Sequence, residues 1–192
     1  MRRKTFDTLV SGAGLLVAVV LLIAGVLGFW AYSFTNSQVH DQLAAQKIFF
    51  PAAGSQAIAG PQFAALQQYA GQQLTTGAQA EAYANHFIAV HLTEVAGGKT
   101  YAQVSTAAQA DPTNTTLQGQ VNTLFKGDAL RGMLLNAYAF WQVGQIALIA
   151  SIVSFVAAAA LLLMSVFGLI HARRVPVEAE ILVPHMALPV GV

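Results

Sequence analysis

The chain contains no cysteine among its 192 residues, which excludes a disulfide framework, a thiolate nucleophile and a thiolate metal site. Charge is almost as scarce. Only 9% of residues are charged, against about 25% in an ordinary soluble domain. The 9 Lys+Arg are balanced by 8 Asp+Glu, so there is no basic surplus of the kind a nucleic-acid partner requires, and none is expected. With 56% hydrophobic residues the chain is too apolar for disorder and too poor in charge to clothe a soluble globule. A membrane protein is what these absences leave.

What is present is two long apolar runs. Residues 9–32 carry no charged side chain, and about 24 residues rise roughly 36 Å as a helix. Residues 143–170 are likewise uncharged and long enough to cross about 30 Å of hydrocarbon with tilt to spare. Arg2, Arg3 and Lys4 precede the first run, while Arg173 and Arg174 follow the second. The positive-inside rule therefore predicts both termini in the cytoplasm. Trp30 and Tyr32 close the first run, and Tyr138 and Trp141 open the second, as interfacial aromatics at one outer surface would. The first run exceeds the apolar stretch of a signal peptide and no Ala-x-Ala site follows it, so it is expected to remain as an anchor. The predicted organisation is a cytoplasmic N-terminus (1–8), a first transmembrane helix (9–32), an extracytoplasmic helical domain (33–140), a second transmembrane helix (141–171) and a cytoplasmic tail (172–192), in a plasma membrane.

The outer segment is rich in Ala and Gln, lacks β-branched runs and is divided by helix punctuation, so the expected fold is all-α. A helical hairpin of long antiparallel helices should carry three or four shorter helices between them. The clearest of these is residues 76–96, where Tyr83, Ala84, Phe87, Ile88, His91, Leu92 and Val95 recur at i, i+3, i+4 spacing and Gly97 supplies a stop. Thr100 and Gln103 form a capping box for the next helix, which should end before Asp111-Pro112. A further helix is expected over 113–126, ended by Gly127, with Asp128 capping a last one that runs into the second span. The first span should extend to about Ile48. The tail 175–192 contains Pro176, Pro184 and Pro189 and cannot form a regular helix. The apolar stretch 48–51 is expected in the core of the outer domain.

Chemistry is harder to find. His86 and His91 lie five residues apart, about 140° around a helix, and cannot share a metal; metalloprotease histidines stand four apart. His91 falls on the apolar face with Glu94 one turn on, and a bond to Glu94 or to a tyrosine would satisfy a buried imidazole. His40 and Asp41 are adjacent, and adjacent helical positions are not expected to face each other. No nucleophile elbow, phosphate-binding loop, dinucleotide turn or zinc helix occurs. No catalytic, cofactor-binding or metal-binding residues are therefore assigned, and no enzyme is expected. No charged residue interrupts either span, which argues against a proton relay or ion pump. The candidate apolar-face pocket is Tyr83, Phe87, His91 and Glu94. Close helix approach is expected at Gly14, Ala18, Ala24, Gly28, Ala147 and Ser151, through small residues four apart.

The stretches QKIFFP (46–51), YAGQQL (69–74), AYANHFIAVHL (82–92), GKTYA (98–102), LFKG (124–127) and LRG (130–132) resemble a family of small actinobacterial two-pass integral membrane proteins of unknown function, over roughly residues 2–174. Members often carry the label aromatic ring-opening dioxygenase. Such an enzyme needs a metal-ligand set that the histidine spacing does not offer, so the resemblance implies a bacterial-envelope setting and no catalytic residues. The expected function is that of a non-enzymatic accessory or scaffolding protein. It would act through its outer helical domain, with the lipid bilayer and with copies of itself or other envelope membrane proteins as partners. The alternative is an apolar small-molecule or lipid binder, or an oligomeric pore.

Overall fold

A computed structural model describes residues 2–176, 179 and 181. The protein is all-helical in the described residues, with two long apolar helices flanking a smaller helical region. Helix α1 spans Arg3–Ala45. Two 3-10 helices follow, Gln56–Ile58 and Pro61–Tyr69. Then come α2 (Gly77–Ala82), a π-helical turn (Tyr83–Ile88), α3 (Ala89–Ala96), α4 (Tyr101–Ala110) and α5 (Thr115–Arg174). The chain divides into two compact units, Met1–Trp30 with Ala147–Val192, and Ala31–Ile146. The expectation for the tail falls mostly on 177, 178, 180 and 182–192, which lie outside the described residues.

The first unit is a pair of antiparallel helices. Gly14 faces Ser165, Ser11 faces Gly168, and Gly28 faces Ser151. A Cβ on Gly28 would stand 3.1 Å from the Ala147 carbonyl oxygen, so only glycine permits this approach. Ser151 Oγ donates to Gly25 O at 2.6 Å, which satisfies a hydroxyl that has no water to turn to. The buried positions on α1 are Ser11, Ala18 and Gly25, and on α5 Ser151, Ala158, Ser165 and Ala172. All are small and follow one another at seven-residue intervals, as in a coiled-coil seam. Elsewhere the helices are bare: only 17% of the most apolar stretch of α1 and 11% of that of α5 is buried. Leu, Ile, Val and Phe side chains exposed over such lengths call for an apolar surrounding. Both helices are long and apolar enough to cross a membrane.

The second unit has a conventional core. Val39 and Leu43 of α1, Phe50, Ile58, Phe63, Leu66, Leu74, Ile88 and Leu134 are all buried in one cluster, and Ala96, Val104 and Leu124 form a smaller one. After α1, Lys47 takes a left-handed conformation (φ 53) that ends the helix, and the Ala44 carbonyl accepts both the Lys47 N–H at 3.1 Å and Gln73 Nε2 at 2.9 Å. Residues 48–51 then run extended beside 71–74, with Phe50 N–H on Gln72 O and Leu74 N–H on Ile48 O, both at 2.9 Å. Extended backbone turns successive side chains to opposite faces. Phe50 is thus buried and Phe49 is 56% exposed, so the expected core stretch is divided between core and surface.

Thr100 and Gln103 make the capping box expected of them. Thr76 and Gln79 make a second one. Gly127 does not end a helix, and Asp128 does not begin one: α5 runs unbroken from Thr115, with Asn114 Oδ1 accepting Leu117 N–H at its start. The glycine lies against the Leu92 side chain, where its lack of a Cβ lets α5 approach α3. Continuous helix on both sides supports the residue against its low propensity.

Candidate functional site

In the second unit the π-helical turn sets the site geometry. It interrupts what would be one helix over 77–96, and such turns are rare and often mark functional positions. Tyr83 and Phe87 project from it towards the segments packed on it. Their ring centroids stand 4.7 Å apart, Phe87 lies 4.4 Å from His91, and Phe63 lies 5.4 Å from His91. Phe50 joins the other end, 5.2 Å from both Tyr69 and Tyr83. Three of the four expected pocket residues are therefore brought together, and the rings fill the space a pocket would need. Burial raises the Tyr83 pKa above its usual 10.0 by disfavouring the phenolate.

Glu94, the fourth, is not with them. It is exposed, although it stands only one turn after His91 on α3. The His91 imidazole instead uses the backbone: Nδ1 lies 2.8 Å from Phe87 O, and since a carbonyl only accepts, Nδ1 donates. Ala24 is similarly displaced from the seam of the first unit. It is exposed, and its neighbour Gly25, where a Cβ would meet the Phe155 ring at 2.8 Å, takes the buried place one helical position on. Gly14, Ala18, Gly28, Ala147 and Ser151 lie at or against the seam. His40 and Asp41 do touch, Nδ1 to Oδ1 at 3.2 Å, though both are exposed.

A polar chain crosses from the π turn to α5. Asn85 Nδ2 donates to Glu81 Oε1 at 2.8 Å, and Arg131 donates to Asn85 Oδ1 at 2.9 Å. Arg131 Nε is buried and has no hydrogen-bond partner among the described residues. Nothing in the local sequence signals this link, whose ends stand 46 residues apart. Among the described residues no group of three His, Cys, Asp or Glu is placed to hold a metal ion.

An open cleft of about 490 Å³ lies between α1 and α5 in this unit. Val39 and Leu43 form its floor from α1. Leu130, Met133, Ala137 and Phe140 line α5, spaced so that they share one helical face. Met133 is 69% exposed and Phe140 45%, beside the amides of Gln42, Gln46 and Asn136. An apolar stripe edged by uncharged polar groups is suited to packing against another apolar surface and offers no group for bond-making chemistry. The chain matches no protein-family model, and neither curated proteins nor solved structures include a match.

Proposed function

We propose that the protein is a non-enzymatic membrane-anchored scaffold that uses the α1–α5 cleft of its helical unit to receive an apolar helix. That helix comes from a second copy of the chain or from another envelope membrane protein. The observation that carries this reading is the stripe Leu130, Met133 and Phe140, apolar, exposed and gathered along one cleft between α1 and α5. In the proposed topology residues 33–140 lie outside the cytoplasmic membrane and both ends inside. The antiparallel pairing of the first unit supports it, since Arg2, Arg3, Lys4, Arg173 and Arg174 all fall at one end of the pair. The resemblance to actinobacterial two-pass proteins supports a bacterial plasma membrane.

The absence of native cysteine makes the test clean. Met133→Cys, labelled in native membranes with a maleimide that carries a photo-cross-linking group and then irradiated, is expected to give a covalent adduct. An adduct of twice the chain mass identifies a second copy, and any other mass identifies a different envelope protein. A monodisperse monomer in mild detergent with no adduct at Met133→Cys overturns the proposal. The cleft volume also falls within the roughly 300–1,000 Å³ of small-molecule sites, which favours an apolar ligand as second reading. An apolar molecule co-purifying with the wild type and lost on Met133→Trp would support that reading.

A further inference from the structure

We propose that the groove at the charged end of the first unit's helix pair binds a phospholipid whose headgroup carries a primary ammonium, of the ethanolamine type. The inference rests on α1 and α5 being membrane spans and is independent of the scaffold reading. The groove measures about 440 Å³ and lies between the first turns of α1 and the last turns of α5. Phe6, Val10, Leu161 and Phe167 give it apolar walls, and Phe6, Val10 and Phe167 are largely open on their outer side. In a bilayer an open lateral groove of this kind is filled by lipid.

Asp7 determines which lipid. It is the one carboxylate in the first thirty residues and stands just before the apolar run, as His171 stands just after the second. That is headgroup depth. The Asp7 side chain is 20% exposed, but its Oδ2 is sealed from solvent and accepts no hydrogen bond among the described residues. His171 Nε2 is 4.0 Å away, outside hydrogen-bonding range. A buried acceptor left unpaired is unfavourable; Asp7 lines the groove, and rotation of its carboxylate towards the groove would let an alkylammonium there supply the missing donor as a charge-assisted bond. The phosphate of the same lipid would then be drawn to the exposed cations Arg2, Arg3, Lys4, Arg173 and Arg174 at this end of the pair, guanidinium groups being suited to bidentate phosphate contacts. Choline carries no N–H and cannot complete Asp7. Glycerol headgroups bring hydroxyl donors without charge.

The test uses the full chain, solubilised in mild detergent and equilibrated with equal amounts of phosphatidylethanolamine, phosphatidylcholine and phosphatidylglycerol, with retained lipid read by native mass spectrometry. Phosphatidylethanolamine is expected to be retained over phosphatidylcholine by about tenfold, the factor of one charge-assisted hydrogen bond. Asp7→Asn should abolish that preference, Asp7→Glu should keep it, and Val10→Trp, which fills the groove, should lower retention of every lipid. Circular dichroism of each variant checks that the helices persist. Equal retention of ethanolamine and choline lipids, an unchanged preference in Asp7→Asn, or phosphatidylglycerol retained as strongly as phosphatidylethanolamine would each overturn the proposal. Release of the wild type from membranes by alkaline carbonate would instead show that α1 and α5 are not spans.

Discussion

His91 satisfies its imidazole on its own helix. The Phe87 carbonyl is one turn back and 2.8 Å away, so neither Glu94 nor a tyrosine is needed. Spacing puts His91 on the apolar face, and its ring lies beside those of Phe63 and Phe87, but side-chain pattern alone does not reveal that the imidazole takes a backbone carbonyl as its partner. Tyr83 lies on the same face, and its burial has a measurable effect. Its folded pKa is raised above 10.0, so the folded state holds the phenol proton more tightly than the unfolded chain. Its contribution to stability is fully present below pH about 10 and is lost as pH rises through the folded value. Tyr83→Phe should therefore flatten the alkaline decline of the melting temperature relative to wild type, measured in detergent between pH 8 and 11. Asn85 couples Glu81 to Arg131. Its replacement by alanine leaves a half-buried guanidinium short of an acceptor and should lower unfolding stability by about 1 kcal/mol in thermal or denaturant melts.

Among the elements, the caps are the most legible from sequence, because Thr100 and Gln103 complete each other's hydrogen bonds within four residues. Gly127 is the opposite case. A glycine after an apolar stretch reads as a terminator, yet here it serves close contact with Leu92 inside a continuous helix, a role that depends on a residue 35 positions away. Gly77 gives the sharper test, since a Cβ there would collide with Cβ and Cγ of Trp141, atoms too close to the backbone to swing aside. Gly77→Ala is expected to destabilise the second unit by about 1–3 kcal/mol, as overpacking does, and to shift the melting temperature downward. In the first unit, Ser151→Ala removes one buried hydrogen bond and should weaken the helix pair by about 0.6 kcal/mol, the mean for such bonds in membranes. Gly28→Leu, meeting the Ala147 carbonyl and Ser151, should weaken it far more. Steric trapping or denaturation in mixed micelles would rank the two.

At the scale of the whole molecule, the two apolar runs and the all-α class follow directly from composition and periodicity, because the bilayer imposes helix on long uncharged segments. The open α1–α5 cleft does not. Leu130, Met133 and Phe140 look like core residues in sequence, and only the packing of α1 beside them leaves them open. The proposed orientation makes its own prediction. A membrane-impermeant maleimide should label Ser37→Cys in intact cells and Thr5→Cys only after permeabilisation; the reverse pattern would invert the topology. The small-residue seam of the first unit also limits how its helices can move. Serines seat against glycines at Ser11 with Gly168, Ser165 with Gly14 and Ser151 with Gly28, like teeth in matching slots. Sliding one helix by a single turn, about 5.4 Å, would carry each tooth off its slot, and the next equivalent register lies seven residues, or about 10.5 Å, away. The pair is thus a detented post, stiff against piston and screw motion along its axis.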